Sequence, residues 1–282
     1  MITKEKYFVE LCSDTTFKYL IKKEDTRNWF FEIIKRKTNL DLNEFSLIDN
    51  ELNSGNKIKD YRMDIVFEKE DTIVIIEMTN SSNISNYVKN YQYLYRTASR
   101  RFLSGEKYKN KRTILVLFND FKNPENSNLL DAHFIFTDKD NKLVIKDIES
   151  YEIYLPNYEK ACYDKYDEIE RRLVLFNIKS YEEMESITKD SFDLKIIKEM
   201  RNLSMDEVFL TDYEKEIVQK KLVNSAYDEG LEKGFKQGIE QGIEQGIYNR
   251  NFEIAKKMLE EGLDLETISK WTNLSIEEIK KF

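Results

Sequence analysis

The length, composition and charge of this 282-residue chain exclude several classes of protein. Hydrophobic residues make up 40% and charged residues 35%, a balance typical of globular proteins with a highly charged surface. No apolar run approaches about eighteen residues and no basic segment leads into an apolar one, so we expect no membrane span and a cytoplasmic location. Cys12 and Cys162 are too few for a disulfide framework or a zinc cluster, and a single histidine, His133, excludes a histidine-built metal site.

The predicted elements begin with two helices over 14–20 and 25–37, each opened by an Asp that we expect to cap it. The segments 61–68 and 72–79 flank a short turn, and their apolar pattern predicts a β-hairpin. A helical pattern covers 84–104 and ends at Gly105. Strands are then predicted over 112–119, 133–138 and 143–155.

This order of elements predicts an α/β fold that ends near Pro156, because everything beyond that residue has a helical pattern. We therefore expect a mixed α/β core over 1–157, a helical extension over 158–225 and a C-terminal region over 226–282. The last region holds a glycine repeat and a final pair of short helices.

Two carboxylates in the predicted hairpin point to one face of the sheet. Side chains alternate along a strand, so Asp64 and Glu77 share a face whether the turn centres on 69–70 or on 70–71. In the second case Asp64 lies directly opposite Glu77, and in both cases their Cβ atoms are roughly 5 to 8 Å apart.

Glu77 is the more informative of the two because it ends the apolar run 73–76 in a strand that we expect to be buried. A buried carboxylate needs a partner or a metal, and oxygen ligands suit Mg²⁺ or Mn²⁺. The alternative is that each carboxylate forms a salt bridge with a nearby base such as Arg62 or Arg96.

The basic stretch 96–112 is the clearest candidate for contact with DNA, since it carries seven basic residues and one acid. The alternative is a solvated helix end and turn. Within this stretch the predicted DNA contacts are Arg96, Arg100, Arg101, Lys107 and Lys109. Tyr87, Tyr91 and Tyr95 form a stripe on the preceding helix, which is more typical of packing than of base stacking.

Several segments together resemble the Rpn family of recombination-promoting nucleases, also labelled transposases, within the PD-(D/E)XK superfamily. The matching pieces are Asp14-Thr15-Thr16-Phe17-Lys18, Arg62-Met63-Asp64-Ile65, Ile76-Glu77-Met78, Gly105-Glu106-Lys107-Tyr108, the glycine repeat, Ile254-Ala255-Lys256-Lys257 and Leu274-Ser275. Each piece is weakly specific, and their joint order carries the resemblance.

The resemblance implies a restriction-endonuclease-like core and Mg²⁺-dependent hydrolysis of DNA phosphodiesters. It implies that Asp64, Glu77 and the backbone carbonyl of Met78 hold the metal, with Asp14 supporting the site from the first helix. For Asp14 the alternative is an N-cap.

This chain departs from the family at Thr79, where relatives carry Gln and wider superfamily members carry Lys. A threonine hydroxyl is shorter than Gln and far too weakly basic to deprotonate water. Its role could pass to Gln92, Lys18 or Lys89. The rival function is a catalytically weakened or inactive relative that binds DNA or protein as an oligomeric module.

The glycine repeat places Gly at every fourth position over 230–246, with an apolar residue after each. Each Gly costs about 1 kcal/mol of helix propensity relative to Ala, so we expect this helix to need a partner, and we predict self-association. The alternative is a flexible connector. The final helix pair, with Ser275 and Glu278 as a capping box, could form a helix-turn-helix (HTH), but its acidic opening at 277–278 favours a packing or assembly role.

Overall fold

A computed structural model describes residues 7–48, 65–80, 84–99, 112–137 and 144–281. Within these ranges six strands form one mixed sheet in the order β1-β2-β3-β4-β6-β5. The strands are β1 (Ser46–Ile48), β2 (Ile65–Lys69), β3 (Thr72–Thr79), β4 (Arg112–Asn119), β5 (Asp131–Thr137) and β6 (Val144–Tyr154). The predicted α/β fold is confirmed, and β1 is an addition that the sequence analysis missed.

The centre of the sheet is parallel and its margins are antiparallel. β3, β4 and β6 run parallel, with Glu77 beside Leu117 and Leu117 beside Glu152. β2 and β5 join this centre as antiparallel neighbours of β3 and β6. The carboxyl ends of the three parallel strands therefore meet at one edge of the sheet, where open α/β sheets bind ligands.

The hairpin β2–β3 adopts the second of the two predicted registers. Lys69 pairs with Thr72 and Ile65 pairs with Ile76, so the two-residue turn is Glu70-Asp71. Glu70 has φ 45°, the left-handed conformation that two-residue hairpin turns require.

The described residues form nine α-helices. They are α1 (Asp14–Lys22), α2 (Glu24–Thr38), α3 (Ile84–Ser99), α4 (Arg171–Val174), α5 (Tyr181–Ile187), α6 (Ser191–Leu203), α7 (Glu207–Glu260), α8 (Leu265–Thr272) and α9 (Ile276–Ile279). Short 3₁₀ turns lie at Leu155–Asn157, Lys160–Lys165 and Leu175–Asn177. The helical character expected beyond Pro156 is confirmed.

The first two helices begin differently from the prediction. The N-cap of α1 is Ser13, whose Oγ accepts a hydrogen bond from the backbone N–H of Thr16, and Asp14 occupies the first helical position. α2 begins at Glu24 after Lys23, which provides no side-chain cap. The capping roles predicted for the two Asp residues are therefore wrong, because a Ser and a Lys precede them at the caps.

Apolar side chains cover both faces of the sheet. On the face that carries α1, Phe17 packs against Phe30 and Phe118 with ring centroids 5.3 and 5.1 Å apart. On the face that carries α3, Tyr93 and Leu94 pack on the central strands, over a set that includes Val66, Ile73, Ile75, Leu115 and Leu117. Burial on both faces explains why β3 and β4 have nearly continuous apolar sequences.

The chain divides into two compact units, 1–216 and 217–282. The first unit joins the sheet to the helices that follow it through buried polar contacts. The backbone N–H of Val9 donates to the Tyr181 hydroxyl at 2.9 Å, and the Trp29 indole donates to Asp193 at 2.7 Å. Cys12 is buried and Cys162 is half-buried, and neither forms a disulfide. None of the described helices is both long and apolar enough to cross a bilayer.

Candidate active site at the carboxyl edge of the sheet

Glu77 lies near the end of β3 on the face covered by α3, and only 2% of the residue is exposed. Its Oε1 is 3.5 Å from Nζ of Lys89, on the first half of α3. Because burial removes a carboxylate from water, such a group requires compensating positive charge or hydrogen-bond donors. Lys89 supplies positive charge there, while 45% of its own side chain stays exposed.

Thr79 lies two residues further along the same face and is also buried. Its Oγ1 accepts a hydrogen bond of 2.9 Å from Nδ2 of Asn90, a buried residue of α3. The hydroxyl proton of Thr79 remains for donation. α3 therefore places one side chain beside Glu77 and another on Thr79, and both contacts involve the polar end of β3.

The neighbouring parallel strands also end in polar residues on this face. In the register of the sheet, Thr79 lies beside Asn119 and Asn119 lies beside Tyr154. Asn119 is 1% exposed, and within the described part of the chain neither its Oδ1 nor its Nδ2 has a hydrogen-bond partner. Neither Asn119 nor Asn90 was predicted from the sequence to belong to the site. For Asn119 a pattern was available, because it ends a buried apolar strand as a polar residue, as Glu77 does.

A second buried carboxylate, Glu152 of β6, occupies the same row of the sheet as Glu77, with Leu117 between them. Its Oε1 accepts a hydrogen bond of 2.9 Å from the Tyr91 hydroxyl, and Oε2 accepts one from the Tyr154 hydroxyl. The two tyrosines thus provide donors that offset the burial of this carboxylate. Sequence reasoning missed Glu152 because only the pairing of β4 with β6 brings it near.

Two members of the predicted tyrosine stripe, Tyr91 and Tyr95, pack against the sheet. Tyr91 reaches Glu152, and the Tyr95 ring lies 6.5 Å from that of Tyr91 and 5.9 Å from that of Phe136 on β5. The side chain of Tyr87 lies outside the described residues. For Tyr91 and Tyr95 the packing interpretation of the stripe is therefore favoured.

Three other residues were predicted to belong to the site, namely Asp14, Gln92 and Met78. The Asp14 carboxylate forms an ion pair with Nζ of Lys18 at 2.6 Å. The backbone N–H of Asp14 donates a hydrogen bond of 2.9 Å to the Glu216 carboxylate. Gln92 is exposed on α3. Met78 is buried, and strand alternation directs its side chain to the face opposite Glu77. Of the three residues considered as substitutes for the missing Gln, the structure places Lys89 beside Glu77.

Several predicted residues lie outside the described ranges. Asp64 is one of them, and no group of three or more His, Cys, Asp or Glu side chains suited to a metal occurs within the described residues. The predicted DNA contacts outside the described residues or side chains are Arg96, Arg100, Arg101, Lys107 and Lys109. At the end of the same basic stretch, Arg112 binds Glu149 with an Nε–Oε1 distance of 2.6 Å.

In the second unit, the end of α7 forms a small core with α8 and α9. Its buried members are Ala255, Ile268, Leu274 and Ile279. α7 ends at Glu260 and is followed by a left-handed Gly262 (φ 84°), after which the N–H of Leu263 donates to the carbonyl of Met258.

Both terminal helices of this unit have side-chain caps. Asp264 caps α8 through Thr267, and Ser275 with Glu278 forms the predicted capping box of α9. Hydrogen bonds from Thr267 and Ser275 lower the pKa of Asp264 and of Glu278, respectively, below their ordinary values.

This three-helix arrangement is the part of the chain that is similar to a known protein family. Residues 249–282 match the family described as "Rpn/YhgA-like nuclease family, C-terminal HTH domain". The chain carries the C-terminal domain of the Rpn/YhgA-like nucleases. The family predicted from the sequence is thereby confirmed, and the HTH alternative for the final helix pair agrees with the family description. No curated protein and no solved structure matches the chain.

An HTH domain suggests DNA binding, and the exposed surface of this one is chemically mixed. Residues 249–282 carry six basic and seven acidic side chains. Trp271, at the end of α8, is 76% exposed. The domain of this Rpn-family chain therefore lacks the strong excess of positive charge that draws proteins to phosphate backbones.

Proposed function

We propose that this chain is a Mg²⁺- or Mn²⁺-dependent DNA endonuclease that hydrolyses phosphodiester bonds at the carboxyl edge of its sheet. The observation that carries the proposal is Glu77, a carboxylate buried at the end of an apolar strand in a chain with an Rpn-family domain. Burying such a charge is unfavourable, so its presence calls for a role that repays this cost.

The chemistry of the site fits a hard divalent cation. We propose that Glu77, Asp64 and the backbone carbonyl of Met78 hold it, since all three offer oxygen ligands. When bound, the metal would activate water and neutralise charge on the phosphate. Asp64 immediately precedes Ile65 in the chain, and the pairing of Ile65 with Ile76 is the register in which we expect Asp64 to face Glu77.

Protein groups around Glu77 would orient the substrate. We propose that Lys89 attracts a non-bridging oxygen of the scissile phosphate, because its ammonium lies at the site and remains partly exposed. Thr79, held by Asn90, would donate a hydrogen bond from its hydroxyl rather than remove a proton.

DNA affinity would come mainly from outside the HTH domain. The basic stretch 96–112 has a local charge of +6, whereas residues 249–282 are nearly neutral. We therefore propose that Arg96, Arg100, Arg101, Lys107 and Lys109 contact phosphates, while the HTH domain adds a second contact with less dependence on salt.

The test is nicking of supercoiled plasmid by the purified full chain in the presence of Mg²⁺. We expect Asp64→Ala and Glu77→Gln to lower the rate by about 100-fold or more, as loss of charge stabilisation in a transition state does. Glu70→Gln in the hairpin turn removes the same charge at an exposed position and should cleave like the parent. Equal cleavage by the Glu77→Gln protein would contradict the proposed site.

The same experiment separates the rival function. A parent chain that does not nick in Mg²⁺ or Mn²⁺, yet retards DNA in a gel at low salt and not at high salt, would be a binding module. Such a result would reject the enzymatic proposal, whereas the proposed phosphate contacts would still explain the salt-sensitive DNA binding.

A second proposal concerns the glycine repeat, for which we propose pairing with the same segment of a second copy. A Cβ built at any of the five glycines meets no atom within 4 Å, so each leaves an open notch on α7. The apolar residue after each Gly is exposed, namely Leu231, Phe235, Ile239, Ile243 and Ile247. Knobs and notches at the same four-residue spacing are complementary to themselves, and small residues permit close helix approach.

Mass in solution tests this pairing in the full chain. Phe235→Asp with Ile239→Asp should convert an oligomer to a monomer, because two charges would enter an apolar contact. Gln241→Asp adds a charge on the same helix at a polar position and serves as the control. An unchanged mass in the double variant would refute the proposal.

A further inference from the structure

Asn119 is a buried polar residue whose side chain forms no hydrogen bond within the described residues. It ends β4 on the face of the sheet that carries Glu77 and Thr79. Within the described residues both of its polar side-chain atoms lack a hydrogen-bond partner, although the residue is 1% exposed. A buried amide without partners destabilises a protein, and the large majority of buried polar side-chain atoms in native structures have at least one.

The position of Asn119 relative to the proposed site follows from the sheet register. It lies directly beside Thr79, and Glu77 lies two residues before Thr79 on the same face. Adjacent strands are about 4.8 Å apart, which makes the diagonal from Asn119 to Glu77 roughly 8 Å. Side chains at this separation can both contact one small molecule held between their ends.

We propose that Asn119 orients the water molecule that attacks phosphorus, from the position beside Thr79 on the neighbouring strand. The inference rests on the proposed nuclease function. Thr79 is too short for this task, and its Oγ1 already accepts from Asn90. The carboxamide of Asn119 has the same donor and acceptor groups as Gln, and it reaches the site from the neighbouring strand.

The role of Asn119 in the reaction is to align and not to accept a proton. The water oxygen forms a new bond to phosphorus as one bridging P–O bond breaks. One proton of the attacking water passes to solvent, and the leaving oxygen takes a proton from solvent. The carbonyl of Asn119 accepts a hydrogen bond from the attacking water as the new bond to phosphorus forms.

The experiment compares Asn119→Leu with the parent in melting temperature and in cleavage kinetics. Leu has nearly the same shape and removes both unpaired polar atoms, so we expect the melting temperature of the metal-free protein to rise by about 2–4 °C. We expect kcat for plasmid nicking to fall by about 100-fold with KM unchanged, because only the transition state loses an interaction. The rise in melting temperature on adding Mg²⁺ should be the same in both proteins.

Each other outcome overturns the inference in a distinguishable way. A lower melting temperature would show that Asn119 is structural, and a higher one with parental kcat would show that it does not act on the water. Loss of the Mg²⁺-dependent stabilisation would make it a metal ligand instead. If the parent does not nick DNA, the proposed function and this role fail together, whereas parental nicking by the Leu variant removes only this role.

A second variant guards against poor folding of the Leu protein. Asn119→Ala removes the same carboxamide without adding bulk, and we expect a similar fall in kcat with KM unchanged. Parental kcat in a folded Ala variant would reject the inference as well.

Discussion

The buried guanidinium of Arg172 offers the sharpest test of how the first unit is held together. Arg172, on α4, is almost fully buried, and its Nε donates to Oδ1 of Asp193 on α6 at 3.0 Å. The same Asp193 accepts hydrogen bonds from the Trp29 indole at 2.7 Å and from the Thr188 hydroxyl at 2.6 Å. The Arg172–Asp193 ion pair therefore joins α4 to α6, and the Trp29 hydrogen bond together with an ion pair between Arg172 and Glu32 connects both helices to α2.

Replacing Arg172 by Met should destabilise the first unit strongly. The substitution leaves the Asp193 carboxylate buried with two neutral donors and no cation, and breaking a buried ion pair in this way costs about 3–5 kcal/mol. A domain is typically stable by about 5–15 kcal/mol, so the loss is a large fraction of the total. Arg36→Met is the matched control, because the Arg36–Asp167 pair is about half exposed and such pairs contribute at most about 1 kcal/mol.

The measurement is urea unfolding followed by the fluorescence of Trp29. The chain has two tryptophans, so both variants should be made in a Trp271→Phe background, which removes the exposed residue of the second unit. We expect a clear fall in the midpoint for Arg172→Met with an unchanged slope. A loss no larger than that of Arg36→Met would refute the reasoning about the buried pair.

Three further predictions concern single groups in each unit. Ser275→Ala removes the cap of α9 and should cost about 1 kcal/mol, seen as roughly five-fold faster hydrogen exchange of the Glu278 amide, and an unchanged rate would contradict it. Hydrogen bonds from Ser275 lower the pKa of Glu278 from its ordinary 4.5, so the stability this contributes is present above that pH and lost as pH falls through the folded-state pKa. An NMR titration that follows the α9 amide signals should show this loss of the cap at low pH in the parent and not in Glu278→Gln. Burial, together with the charge of Glu149, raises the pKa of Tyr151 from 10.0 to about 12, so its contribution to stability is lost between pH 10 and 12. Because the chain has 17 tyrosines, the difference in absorbance at 295 nm between the parent and Tyr151→Phe should follow this titration, and Glu149→Gln should shift it to lower pH.

Local sequence patterns were sufficient for the central elements of the fold. β3 and β4 were predicted with the bounds that the structure has, because strands buried on both faces carry continuous apolar sequence. β1 was missed since Ser46–Ile48 is three residues long and is defined only by its pairing with β2. The wrong caps of α1 and α2 show the usual uncertainty of helix ends, where one residue decides which side chain reaches the free N–H groups.

A site residue could be predicted only where the sequence of its own strand was enough to single it out. Glu77 could be found because a carboxylate interrupts an apolar run, and the hairpin register was limited to two choices by strand alternation. Asn119, Asn90 and Glu152 come from other elements, and their approach depends on the parallel pairing of β3 with β4 and on the rotation of α3. Neither of these is encoded in a local pattern.

The Asn119 amide, unpaired within the described part of the chain, lies beside Thr79, and we interpret its cost in stability as a sign of a role in catalysis. A sequence selected only for stability would satisfy or remove a buried carboxamide at the end of β4, because leaving it unpaired is costly. Violations of this kind concentrate at functional sites, where a local rule is broken for a gain elsewhere. The violation here lies beside Thr79, where the resemblance implies a Gln, and within the described residues the neighbouring strand β4 ends in an amide without a hydrogen-bond partner. Because the register places Thr79 and Asn119 side by side, we expect the Asn119 amide to take the role that the resemblance implies for a Gln at position 79.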